Sequence, residues 1–397
     1  MGKSIAYFDE PTDFSLVQGG PLFQLLLRTG LVRPSMDLVA RRIVVISLVA
    51  WLPLLVLTLL SGHAVGGLGV PFLYDIGAHA RFLLCVPLLI AAEVTVHRRI
   101  KGVVRQFLER GIVTPEYRPQ FEGLIASAMR LRNSMLAEVV VLAFALVGGY
   151  WFGNKYVETH VPTWYSAPIG DQQQLTAAGY WYFCVSLTIG RLLWIRWYFR
   201  LFIWCRFLWQ VSRQIPLNLN ALHPDRAAGL GFLGGSVFAF APVLLAHSVV
   251  FAGVFGGKIW HEGATLPQFK LEIVAWMIFL LLLVLTPLLF FVTQLANARR
   301  TGLREYGIVA SGYVAEFRRK WIEGRTAEGE SLVGSADIQS LADLSNSFEV
   351  VREMRLVPFG KVTVFRLALL IALPLLPLTL TMIPLEQLID RAVGVIF

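Results

Sequence analysis

The sequence predicts an all-α polytopic membrane protein with about seven transmembrane helices, and three observations carry that prediction. Of 397 residues, 56% are hydrophobic and only 15% are charged, where a soluble domain carries roughly 25% charged residues. Apolar runs of about 20 residues, long enough to cross a hydrocarbon core, fall at roughly 42–62, 79–97, 135–153, 178–200, 230–255, 271–296 and 361–384. The basic residues between these runs are segregated, and that asymmetry sets orientation. Arginines crowd 98–132, 206–226 and 299–355, whereas 63–78, 154–177 and 256–270 hold almost no basic residues. Every basic segment falls on one side if the N-terminus is cytoplasmic and the C-terminus external, as in a plasma or inner membrane. The formal charge of +9 is then a positive-inside excess, and no nucleic-acid partner is expected.

Residues 1–41 read as a cytoplasmic N-terminal segment. Its opening, "MGKSIAYFDEPTDF", is acidic and polar, unlike the short basic start of a cleavable signal, so the first span is expected to be retained. "FSLVQGGPLFQLLLRTGLV" is too interrupted to span and is expected to lie on the cytoplasmic surface as an amphipathic helix. Residues 42–153 hold three spans and a cytoplasmic helical loop at 98–134, in which Phe121, Leu124, Ile125 and Ala128 recur at helical spacing. Residues 154–222 comprise an aromatic, Pro/Gly-containing external loop and a linker span. Residues 223–397 hold the last three spans and the long cytoplasmic loop 297–360. There Ile338, Leu341, Leu344, Phe348 and Val351 predict an amphipathic helix with Asp337 as its N-cap. The preceding "EGRTAEGESLVGSA" reads as a mobile linker.

The fourth span ends in "RLLWIRWYFRLFIWCR", with arginines at 191, 196, 200 and 206. Their gaps of five, four and six residues do not form one helical stripe, unlike the regular rows of voltage sensors. Arg196 and Arg200 are expected to snorkel among interfacial aromatics as anchors. Arg191 lies about 18 Å from the external entry at 1.5 Å per residue and is expected in the inner leaflet, facing a partner or a pore.

Collinear similarities link the two halves. "RPSMDLVARRIVVISLVAWLPLL" parallels "HPDRAAGLGFLGGSVFAFAPVLL"; "VPLL" at 86–89 parallels "TPLL" at 286–289; "ERGIV" at 109–113 parallels "EYGIV" at 305–309. "AMRLRNSMLAEVVVLAFAL" closes the series against "EMRLVPFGKVTVFRLALLIAL". Spans 1–3 and 5–7 are therefore expected to form parallel repeats joined by span 4. This 3+1+3 layout is similar to the SWEET sugar transporters, whose parallel repeats are related about the membrane normal. The resemblance is architectural: the chain has no proline–glutamine motif of that family, the opposite inferred orientation and longer cytoplasmic loops.

No catalytic motif, phosphate loop or dinucleotide fingerprint is present, so neither an enzyme nor a cofactor is expected. Cys85, Cys184 and Cys205 lie in apolar stretches without a CxxC pair and read as packing residues. Ser236 and His247 are eleven residues apart on one helix, about 16 Å along its axis, too far for a nucleophile and its base. "HPDR" at 223–226 reads as a helix cap rather than a metal site. Intramembrane polar residues are functional candidates by default. Glu93 and His97 share a helix face, Glu138 and Arg366 are expected to pair across a pseudo-twofold axis, and His247 lies midway along a glycine-rich span. With Arg191 these six are expected to flank a transport path for a small solute or ion, with an anion favoured by the basic inner mouth. The lipid bilayer is the expected partner. An oligomeric channel and a non-catalytic sensor or assembly protein are the alternatives, and a homo-oligomer is compatible with each.

Overall fold

The computed structural model describes residues 14–30, 38–67, 69–157, 163–169, 172–324, 331–332 and 334–382. The C-terminus, the repeat anchor Pro34 and most of the 325–333 linker lie outside the described residues. In chain order come α1 (Pro21–Arg28), α2 (Val39–Leu60), α3 (Ile76–Glu109), α4 (Arg118–Arg132) and α5 (Met135–Val157). An antiparallel hairpin follows, β1 (Ser166–Ile169) paired with β2 (Gln172–Leu175), then α6, a helical stretch over 177–214. The second half holds α7 (Leu230–Glu262), α8 (Leu266–Leu289), α9 (Val292–Trp321), α10 (Ala336–Arg352) and α11 (Lys361–Met382).

Five of these, α2, α3, α7, α8 and α11, are long and apolar enough to cross a membrane; α5 contains a shorter apolar stretch, Met135–Val147. Arginines and polar aromatics lower the hydropathy of α6. The burial pattern of α2 is that of a helix in lipid. Val44, Leu48, Leu52 and Val56 form an exposed stripe at four-residue spacing, while Ser47, Ala50, Leu54 and Thr58 face inward. Large apolar residues point out and smaller or polar ones pack against neighbours, as in membrane bundles.

Several boundaries depart from the sequence expectation. The α3 helix does not end at residue 97, because Ile100, Val103, Val104 and Phe107 continue as a buried stripe beyond the apolar run. This extension packs with α4 and the end of α6 into one aromatic layer: the ring of Phe121 lies 5.7 Å from that of Phe107 and 5.8 Å from that of Phe207. The N-terminal segment is not a surface helix over its whole length. Phe14, Leu16 and Val17 are fully buried, Phe14 against Trp204 and Phe207, and only Pro21–Arg28 is helical. Its glycine pair at 19–20 has positive φ, which redirects the chain before α1. The α10 cap is Ser335, whose hydroxyl accepts from the Asp337 N–H, rather than Asp337. The Asp337 carboxylate instead accepts from Lys320 and Trp321 of α9, at 2.9 and 3.0 Å.

The α7 segment is irregular at its start. Gly229 is left-handed, short 3-10 turns occupy Leu230–Phe232 and Val237–Phe240, and regular helix begins at Ala241. Before it, the Asp225 carboxylate accepts from the N–H groups of Ala227, Gly229 and Gly231, at 2.8, 3.1 and 2.8 Å. The helix pairings of the two halves differ. In the first, α2 packs on α3 and α5 on α6; in the second, α8 packs on α11, while α7 packs mainly on α3 across the halves and secondarily on α11.

Candidate solute-binding cavity

Two π-helical turns interrupt otherwise regular helices, Ala80–Cys85 in α3 and Tyr182–Ser186 in α6. Such turns carry one extra residue per turn, shift the faces beyond them and are frequent at functional sites. Here they face each other: Arg81 Nη1 donates to Tyr182 Oη at 2.6 Å, across 101 residues of sequence.

Both turns wall a cavity of about 780 Å³. The α3 side supplies Asp75, Gly77 and Arg81, the α6 side Tyr182, Leu187 and Arg191, and the end of α7 Gly253, Lys258, His261 and Glu262. The helices meet closely on one wall, where a Cβ at Gly253 would lie 2.7 Å from that of Ala80. Glycine is therefore required there by the approach of α7 to α3. The turn that leads into the β-hairpin closes one side through Thr163 and Tyr165, with the Tyr165 ring stacked on Tyr182 at 5.6 Å. Trp164 is fully buried, and its Nε1 donates to Asp75 at 2.9 Å. Asp75 also caps the first turn of α3 by accepting from the Ala78 N–H, so its carboxylate is committed to holding hairpin and helix together. The charged groups around the space are Asp75, Arg81, Arg191, Lys258 and Glu262, three cations to two carboxylates.

The six residues expected on one path fall in four places. Arg191 lines this cavity and donates to the Ala145 carbonyl of α5 at 3.3 Å. Glu93 lies twelve residues beyond Arg81 in α3, about 18 Å along the axis. It is buried between Arg42 and Arg200, accepting from Arg200 at 2.8 Å. Glu138 belongs to the same charged cluster; its partner is Arg196 at 3.8 Å rather than Arg366, because α5 packs on α6. Arg200 is thus not a lipid anchor, and Arg196 also turns toward the cluster. His97 is at the edge of this region, bonded to Ser15 Oγ at 2.9 Å.

His247 is buried within an aromatic contact group, 3.9 Å from the Trp194 ring and 5.9 Å from that of Trp276. Its Nδ1–H donates to the Val243 carbonyl at 2.8 Å, leaving Nε2 to accept from Tyr198 Oη at 2.7 Å. Both ring nitrogens are used, which is the geometry of a packing histidine in its neutral form. Arg366 is exposed on α11.

The sequence reading omits Arg81, Tyr182 and Lys258 from the site. An arginine inside the second apolar run was the available signal, by the same rule that selected Arg191. Nothing in the sequence marks the π-turns that bring Arg81 to Tyr182. Among the described residues no cluster of three or more His, Cys, Asp or Glu side chains has the geometry to hold a metal ion. Comparison with known protein families, characterised proteins and solved structures finds no match to this chain.

Proposed function

We propose that this is an integral membrane transport protein that takes a small solute or ion from the cavity between α3, α6 and α7. The observation that carries the reading is a cavity among apolar helices that holds several charged side chains, walled by two π-turns and reaching an arginine of α6. Arg191 lies nine residues beyond Tyr182, about 13 Å along the helix. Charge held at such depth favours a function in contact with an ionic or polar solute. The cavity is formed within one chain, by α3, α6 and α7. A cavity within one chain supports the transporter reading over an axial channel between protomers.

In the proposed topology α5 and α6 join the five apolar helices to make seven spans, with the N-terminus cytoplasmic and the cavity opening externally. The parallel repeat stays part of the proposal on its collinear sequence anchors. The excess of cations around the cavity favours an anionic or zwitterionic solute. No reaction chemistry is proposed.

A ligand selective for the native state raises its stability, which supplies the test. Purified protein is heated with a panel of chloride, phosphate, sulfate, small carboxylates and amino acids, then reconstituted in vesicles for uptake of those that stabilise it. One class is expected to raise the melting temperature and be taken up, and Arg191→Gln is expected to lose both effects while retaining yield and oligomeric state. Full uptake by well-folded Arg191→Gln protein would overturn the assignment of this cavity.

A further inference from the structure

The charged cluster at the other end of α6 is a separate locus. Arg196 lies within electrostatic range of Arg42, Glu93, Glu138 and Arg200, and Arg132 within range of Arg200. Four guanidinium groups are therefore gathered around two carboxylates. Glu93 is shared by Arg42 and Arg200, and Glu138 lies at a loose 3.8 Å from Arg196. Arg132 is buried with no carboxylate partner among the described residues; its Nε donates to Asn133 Oδ1 and its Nη1 to the Ser15 carbonyl. Burial and the neighbouring Arg200 push its pKa down to about 10, which still leaves it charged at neutral pH. Among the described residues the cluster thus holds two more cations than carboxylates, and uncompensated buried charge is costly.

An apolar groove of about 250 Å³ begins at the cluster. It runs between α5 and α6 along Met135, Val139, Leu142 and Leu192, and it ends on Glu138 and Arg196. The small pocket formed by Arg132, Arg196, Arg200 and Glu138 shares Glu138, Val141 and Arg196 with it. Met135, Val139 and Leu142 are exposed, as lipid-facing residues are. Hydrocarbon is the chemistry that matches the groove, and an anion is the chemistry that matches its end.

We propose that the groove between α5 and α6 binds one anionic glycerophospholipid, an acyl chain along Val139 and Leu142 and the phosphodiester at Arg196, where the groove meets the field of the buried Arg132 and Arg200. The proposal rests on the membrane reading of the fold and not on the transport assignment. Phosphate oxygens complement guanidinium forks, and basic pockets between helices are recurrent lipid headgroup sites. One phosphodiester would offset one of the two excess cations among the described residues.

The test is native mass spectrometry of detergent-purified protein, with thermal melting in nanodiscs of phosphatidylcholine alone or mixed with phosphatidylglycerol. One retained phosphatidylglycerol per chain is expected, with a higher melting temperature in the mixed discs and no shift from inorganic phosphate or glycerol phosphate in detergent. Leu142→Trp fills the groove without touching the charges, and Arg132→Gln removes one cation. Arg132→Gln is expected to weaken retention about tenfold, the effect of losing one charge-assisted interaction, and Leu142→Trp about as much by excluding the acyl chain. Val362→Trp, on the exposed face of α11, is expected to have no effect. Equal retention of phosphatidylcholine, an equal shift from free phosphate, or undiminished retention by folded Leu142→Trp protein would each overturn the proposal. These outcomes are independent of uptake, so a failed transport assignment leaves them readable.

Discussion

Glu93 is the carboxylate on which the buried arginines of α2 and α6 converge, and replacing it by glutamine isolates that role. Glutamine keeps the shape and one carbonyl acceptor but leaves Arg42 and Arg200 without a counter-ion. At the 2.8 Å separation of Arg200 and Glu93, and an effective dielectric of about 20, the Coulomb attraction is about 6 kcal/mol. Desolvation of both ions offsets much of it. What mutation exposes is the cost of unpaired buried cations, about 3–5 kcal/mol when one partner of a buried pair is removed. Glu93→Gln is therefore expected to destabilise by that amount, measured by denaturant titration in mixed micelles. The triple variant Arg42→Met, Glu93→Leu, Arg200→Met removes Glu93 together with both of its ion-pair partners and is expected to recover most of the loss, because apolar replacement of a whole buried ion group is often neutral. A loss below about 1 kcal/mol for Glu93→Gln, in the range of an exposed pair, would refute the claim that the cluster is dry. So would a triple variant less stable than the single one.

Three further expectations follow from other parts of the fold. Gly179→Ala places a Cβ against the Tyr165 carbonyl; since backbone cannot yield as a side chain can, a cost of about 1–3 kcal/mol is expected in melting experiments, together with weaker ligand protection of the cavity. Burial acts to raise the Asp225 pKa, but N–H groups of Ala227, Gly231 and Gly229 and the nearby His223 outweigh it, so the carboxyl is held below its ordinary 3.8. Its stabilisation is present above that value and lost as pH falls through the lower folded one, so Asp225→Asn is expected to cost about 1 kcal/mol near neutrality and progressively less in titrations below pH 3.8. In a background free of native cysteines, Gln174→Cys in the hairpin is expected to label from outside intact cells and Gly312→Cys in α9 only after permeabilisation; the reverse would invert the proposed topology. Gly170 and Gly329, the corresponding loop positions that the sequence points to, lie outside the described residues.

Much of the helical framework was legible because it depends on short stretches of chain. A run of apolar residues must find an apolar environment wherever it is placed, so α2, α7, α8 and α11 could be located without knowing their neighbours. The spacing of Phe121, Leu124, Ile125 and Ala128 likewise announced a buried helical face, and all four are buried. The boundaries were harder to read. Hydropathy falls at residue 97 while the helix continues, because hydrogen bonding does not end where lipid does and Ile100, Val103, Val104 and Phe107 find protein instead.

The sequence by itself determined which segments are apolar, where positive charge gathers, and that Glu93, Glu138 and Arg191 required partners or solvation. Tertiary structure alone decided what those partners are. Arg200 meets Glu93 across 107 residues, Ser15 meets His97 across 82 and Arg81 meets Tyr182 across 101. A charge announces its need locally through the cost of burying it, but the group that satisfies it is chosen by helix packing. That choice turned Arg200 inward, drew Phe14 into the core, gave Glu138 to Arg196, and opened a cavity between two π-turns whose approach no local pattern encodes.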